Sequence, residues 1–117
     1  MKLSEIKDIL KATIVVGENQ LDKTVVAGGG ADMMEDVLSA VAEGGVLLTG
    51  LTTDQVLSTA KITGLAAIVI VRGKKPTVSL LERARSYDLP VLLTDFSLFV
   101  SCGRLYMNGL RGLDGSW

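Results

Sequence analysis

Histidine is absent from the 117 residues, cysteine occurs once, and aromatic side chains make up only 4%. Without histidine, and with Cys102 alone, the chain lacks a disulfide framework, a Cys/His zinc site and any Ser/His or Cys/His nucleophile pair. Most hydrolase chemistry is excluded on that ground. No charge sign dominates either. The 12 Lys+Arg and 13 Asp+Glu leave a formal charge of −1, and no basic stripe is present to draw in DNA or RNA. Long apolar runs are also missing: the longest, Leu65 to Val71, falls far short of the roughly 20 residues a membrane-spanning helix needs. At the start of the chain Lys2, Glu5, Lys7 and Asp8 interrupt Leu3, Ile6 and Ile9, so no signal-peptide core forms. A cytoplasmic protein is expected, and an unpaired cysteine agrees with a reducing compartment.

Hydrophobic residues account for 48% of the sequence. A single domain of this size buries about two-thirds of its unfolded surface without metal or disulfide. The apolar pattern alternates between helical and strand periods, which is the grammar of an α/β fold. Leu3, Ile6, Ile9 and Leu10 predict a helix behind Ser4 as N-cap. Thr13 to Val16 and Thr24 to Val26 predict strands around a polar turn. Gly28-Gly29-Gly30 then leads into a helix with Asp32 and Glu35 as a capping box and Met34, Val37, Leu38 and Val41 on its core face.

Gly44-Gly45 ends that helix, and Val46 to Thr49 is a short buried strand. Thr52 and Gln55 cap the next helix, which turns Val56, Leu57 and Ala60 inward and stops at Gly64. The unbroken Ala66 to Val71 run suits a central parallel strand covered on both faces. A helix carrying Leu80, Leu81 and Ala84 follows, then a strand from Val91 to Thr94. A last helix begins near Asp95, with Leu98, Phe99, Cys102, Leu105 and Tyr106 as its core stripe. These elements predict a single three-layer α/β domain over residues 1–110, with a mostly parallel sheet and helices on both faces. Residues 111–117, rich in glycine, read as a flexible tail.

In such sheets ligands bind beyond the carboxyl ends of the strands. The turns there contain Gly28, Gly29, Gly30 and Asp32, then Thr49, Gly50 and Thr52, then Arg72, Gly73 and Lys74, then Thr94, and these are the candidate ligand-binding residues. The glycine triplet fits neither a dinucleotide fingerprint, because Met33 stands where its last glycine belongs, nor a P-loop. It is either a binding loop or a tight strand-to-helix connection. Arg72, Lys74 and Lys75 suit a phosphate or, equally, a solvated turn. The hydroxyls of Thr49, Thr52, Thr94 and Ser97 suit helix caps. A carboxylate at Asp32 would repel a phosphate at the same helix end. No catalytic constellation, cofactor site or metal set emerges.

The stretch from Leu21 to Leu38, the string Ala66 to Pro76, Leu92 to Thr94, and Cys102 to Tyr106 together resemble the DRTGG domain family. The likeness spans about Leu3 to Leu110, although Asp22-Lys23 stands where the family has Asp-Arg and Ala27 where it has Thr. It implies a fold similar to the N-terminal domain of HPr kinase/phosphorylase and to a module of long phosphotransacetylases. A regulatory role without a catalytic centre is implied as well. Two functions follow as expectations. One is a sensor for a nucleotide or phosphorylated metabolite at the strand ends. The other is an interaction or dimerisation adaptor for a kinase or metabolic enzyme. A homodimer is expected, with Leu51, Leu113 and Trp117 as surplus apolar residues.

Overall fold

Aliphatic segments too short for a helix and buried along their whole length have one stable solution, the interior of a sheet with both faces covered. In the computed structural model, which describes residues 1–40 and 43–113, two segments adopt it throughout: β3 (Val46–Thr49) and β4 (Ala67–Ile70) are buried at every position. With β1 (Thr13–Val16), β2 (Gly28–Gly30) and β5 (Val91–Leu93) they form a five-stranded sheet of order β1-β5-β4-β3-β2. The pairs β2/β3, β3/β4 and β4/β5 are parallel, and β1 closes the sheet antiparallel to β5. β4 is central, as its continuous apolar run predicts.

Alternation along the strands divides the core in two. Leu47, Ile68, Ile70 and Val91 face α2 (Met34–Leu38), α3 (Gln55–Thr63) and α4 (Val78–Ser86), where Met34, Val37, Val56, Leu57, Ala60, Leu80 and Ala84 are buried. Val46, Leu48, Ala67, Val69 and Leu92 face α1 (Leu3–Ile9) and α5 (Leu98–Met107), through Leu3, Ile6 and Leu105. The three layers of the α/β domain are therefore α1 and α5, the sheet, and α2 to α4. Strands β2 to β5 advance in one direction, so successive right-handed crossovers leave all three connecting helices on one face. No reversal among the parallel strands opens a switch-point crevice.

Several local expectations are corrected. Helix α1 is capped at Lys2, with Ser4 inside it. Thr24 to Val26 is not a strand: Thr24 makes an isolated bridge to Lys2, Val25 is buried and Val26 is exposed. The strand lies further on, in the glycine triplet itself. Asp32 does not cap α2, whose N-cap is Met33 without a side-chain bond. Leu38 points outward, and Val41 lies outside the described residues. Thr52 does not cap α3 either, because the N-cap is Asp54, whose carboxylate instead takes Ser79 and Arg83. Helix α5 starts at Leu98 behind a working Ser97 cap, and Phe99 and Tyr106 face outward instead of joining the core. Residues 111–113 of the expected tail lie against β2. Gly28 N–H donates to Arg111 O, Leu113 N–H donates to Gly28 O, and Leu113 is buried. Residues 114–117, including Trp117, lie outside the described set.

Candidate functional site

The glycine triplet forms a strand because its lack of side chains lets α5 and the segment after it close over it. A Cβ on Gly28 would stand 2.8 Å from Leu110 Cδ2, one on Gly29 2.8 Å from Leu113 Cδ1, and one on Gly30 2.5 Å from Cys102 Sγ. None of the three has a positive φ. Close packing, and not turn geometry, accounts for them. An anion cradle at a helix N-terminus is not what Gly28, Gly29 and Gly30 build.

Past β2, Asp32 bridges to the exit of β3. Its Oδ1 accepts from the Gly50 amide at 2.7 Å and from the Thr49 hydroxyl at 3.1 Å, while Thr49 Oγ1 accepts from Leu51 N–H. Lys74 reaches the same loop, donating from Nζ to Gly50 O at 3.2 Å. Asp32, Thr49, Gly50 and Lys74 are thus brought together. Thr52 stands apart and contributes its carbonyl to Thr77 N–H.

The exit of β4 is an unusual turn. Arg72 and Gly73 are consecutive left-handed residues, at φ 64° and 65°. Their amides donate to Phe96 O and Thr94 O, which fastens β4 to β5. A side chain at position 73 would also meet Asp95 Oδ1 at 2.9 Å. Thr94 is buried and donates from Oγ1 to Leu10 O at 2.7 Å, tying the end of β5 to the end of α1.

That tie sets Lys11 beside the β4 turn. Lys11, Lys74 and Lys75, with Gly73, Thr13, Leu93 and Asp95, line a groove of about 280 Å³ at the carboxyl ends of β4 and β5. Among the described residues the one ion pair, Arg83 with Asp54, lies elsewhere. The sequence reading named Lys74, Lys75 and Gly73 but missed Lys11 and Asp95. Lys11 precedes an antiparallel strand, so only knowledge of the β1/β5 pairing would have found it. Arg72 is separated from this cluster and instead borders a shallow groove on α5 with Phe99, Cys102 and Tyr106.

Away from the strand ends, Arg83 donates to the Tyr87 hydroxyl at 3.0 Å, and Lys61 lies over the Tyr87 ring. The guanidinium bond lowers the phenol below its ordinary range, and the Arg83 guanidinium is held above its own by Tyr87 first and Asp54 second. Arg83 is exposed and Tyr87 half-buried, and their arrangement fastens α3 to α4. Cys102 is half-buried against Gly30, and burial pushes its thiol up.

The sequence model of one family, described as the DRTGG domain, matches residues 5–105. No curated protein matches the chain. Five solved chains do. Among them is the CBS and DRTGG portion of the regulatory region of Clostridium perfringens pyrophosphatase, complexed with its activator diadenosine tetraphosphate. It superposes with a TM-score of 0.71 at 18% identity, over 89% of this chain and 45% of that one. At that identity the likeness establishes the fold, and the chain spans under half of the relative.

Proposed function

This chain belongs to the DRTGG domain family, and from that premise we propose that it is a regulatory domain sensing a nucleotide or phosphorylated small molecule. The observation that carries the reading is the convergence of Lys11, Lys74 and Lys75 on one groove around the Gly73 backbone. Lys11 and Lys75, beside a Lys74 whose ammonium already donates to Gly50 O, suit a di- or triphosphate better than a single phosphate, since each extra anionic oxygen finds a cation. Asp95, on the same groove, accepts a ligand hydroxyl or amino group. The relative with a nucleotide activator supports this ligand class. The Asp32 clip shapes the neighbouring loop through Gly50. The output is control of an associated kinase or metabolic enzyme.

Thermal denaturation with ATP, diadenosine tetraphosphate and inorganic phosphate tests the proposal. A ligand present at about 100 times its Kd adds roughly 2.7 kcal/mol of stability. Nucleotide polyphosphates are expected to stabilise the chain and phosphate alone much less. Lys11→Ala and Lys75→Ala are expected each to weaken binding by about 1.5 kcal/mol. Absence of a shift with every nucleotide overturns the sensor reading and leaves the ligand-free adaptor, which the exposed apolar face of α5 favours.

A further inference from the structure

The outward arc of α5 is apolar, and the described chain reaches it only at its margins, where the Arg111 guanidinium lies 4.5 Å from the centre of the Tyr106 ring and Arg72 borders the groove. Phe99 and Met107 are 87% and 86% exposed, and Tyr106 and Val100 are 46% and 40% exposed. The one charged residue of the helix, Arg104, turns inward: its Nε donates to Ile9 O at 2.9 Å and its guanidinium lies over the Phe96 ring. At 100° per residue the four apolar side chains cover an arc of about 120°, with Gly103 at its centre. A Cβ added to Gly103 would meet nothing within 4 Å. The chain itself therefore gains nothing from glycine there, although glycine inside a helix is destabilising. What such a glycine permits is the close approach of another backbone.

We propose that this face joins two copies of the chain, their α5 helices antiparallel and crossing at Gly103 about a two-fold axis. The spacing selects a second copy as occupant. In an antiparallel pair centred on position 103, Phe99 faces Tyr106 of the second copy and Val100 faces Met107 of the second copy. The two-fold axis then repeats both pairs. The arc is complementary to itself, which an isologous interface requires. The area is also sufficient. Side chains of this size and exposure present roughly 500 Å² per chain, so pairing that buries them fully hides on the order of 1,000 Å² in total, the lower bound for specific association. The Lys11 groove lies at the ends of β4 and β5 and takes no part, so the dimer stands or falls independently of ligand binding.

Sedimentation equilibrium of the whole chain, up to about 100 μM, tests the proposal. The wild type is expected as a dimer, and Val100→Glu and Met107→Lys are each expected to weaken it more than tenfold. The double variant is expected to regain it, because the new carboxylate at 100 faces the new ammonium at 107 across the axis. Within one helix these positions are separated by about 10 Å of rise, too far to pair. Circular dichroism accompanies each variant. If either single variant fails to fold, Gly103→Gln replaces it, since the space around Gly103 is open, and it is expected to be folded and monomeric. A wild-type chain sedimenting at 12.4 kDa throughout, a dimer indifferent to the substitutions, or a double variant that stays monomeric overturns the proposal.

Discussion

Asp32 Oδ1 accepts from the Gly50 amide at 2.7 Å, so the residue that leaves β2 is fastened to the residue that leaves β3. The same oxygen takes the Thr49 hydroxyl. A carboxylate whose neighbours in sequence suggest a helix cap thus spends its acceptor on the adjacent strand, and α2 begins without a side-chain cap. Asp32→Ala is expected to cost about 1.5–3 kcal/mol, the range for hydrogen bonds to a charged group. Glu35→Gln, which alters only the unformed capping box, is expected to stay within about 0.5 kcal/mol of wild type. Urea denaturation of both variants checks the contrast, and equal losses would return Asp32 to a capping role.

The distance from the ideal Gly30 Cβ to Cys102 Sγ, 2.5 Å, leaves no room for a methyl group. Gly30→Ala is expected to destabilise the chain by more than about 1 kcal/mol through overpacking. Cys102→Ala removes the obstructing sulfur, so the double variant is expected to be more stable than the sum of the single losses by about 1 kcal/mol. Strict additivity in a double-mutant cycle would mean that α5 shifts to accommodate the methyl group by another route.

These two sites show what the sequence could and could not disclose. The strands Val46–Thr49, Ala67–Ile70 and Val91–Leu93 were legible because burial on both faces demands unbroken aliphatic runs. Gly64 was legible as a helix stop because its φ of 73° suits glycine. Gly28–Gly30 was not legible as a strand. It has no side chains to alternate, and its reason for being glycine lies at Cys102, Leu110 and Leu113, more than 70 positions away. In α5, periodicity identified apolar positions without saying what covers them, so Phe99 and Tyr106 read as core although they face outward. The candidate site was half legible. Gly73, Lys74 and Lys75 form a local cluster, whereas Lys11 joins them only through the β1/β5 pairing and the bond from Thr94 to Leu10.

That bond gives a third expectation. Thr94 Oγ1 donates to Leu10 O at 2.7 Å in a buried setting and also accepts from Phe96 N–H. Thr94→Val keeps the shape and removes both partners, leaving a carbonyl and an amide unsatisfied. A loss of about 1–3 kcal/mol is expected. Because the bond holds the end of α1 against the β5 exit, the variant is also expected to bind nucleotide polyphosphates more weakly, through a displaced Lys11. Calorimetric titration of the folded variant separates the two effects, and unchanged affinity would detach Lys11 from the groove.

Cys102 supplies a dependence on pH. Burial against Gly30 pushes its thiol above the ordinary value, so the protonated form is favoured by folding and the thiolate by unfolding. The stabilisation this represents is fully present below the thiol's unfolded pKa and is lost as pH rises through the raised folded one. Wild-type stability is therefore expected to fall relative to Cys102→Ala on moving from neutral to alkaline pH, a difference in which the lysines and tyrosines cancel. Iodoacetamide, which attacks the thiolate, is expected to modify the folded chain more slowly than the urea-unfolded chain at the same mildly alkaline pH. Equal alkylation rates together with a stability difference that does not vary with pH would mean that the sulfur is solvated, and would remove it from the packing of α5 on β2.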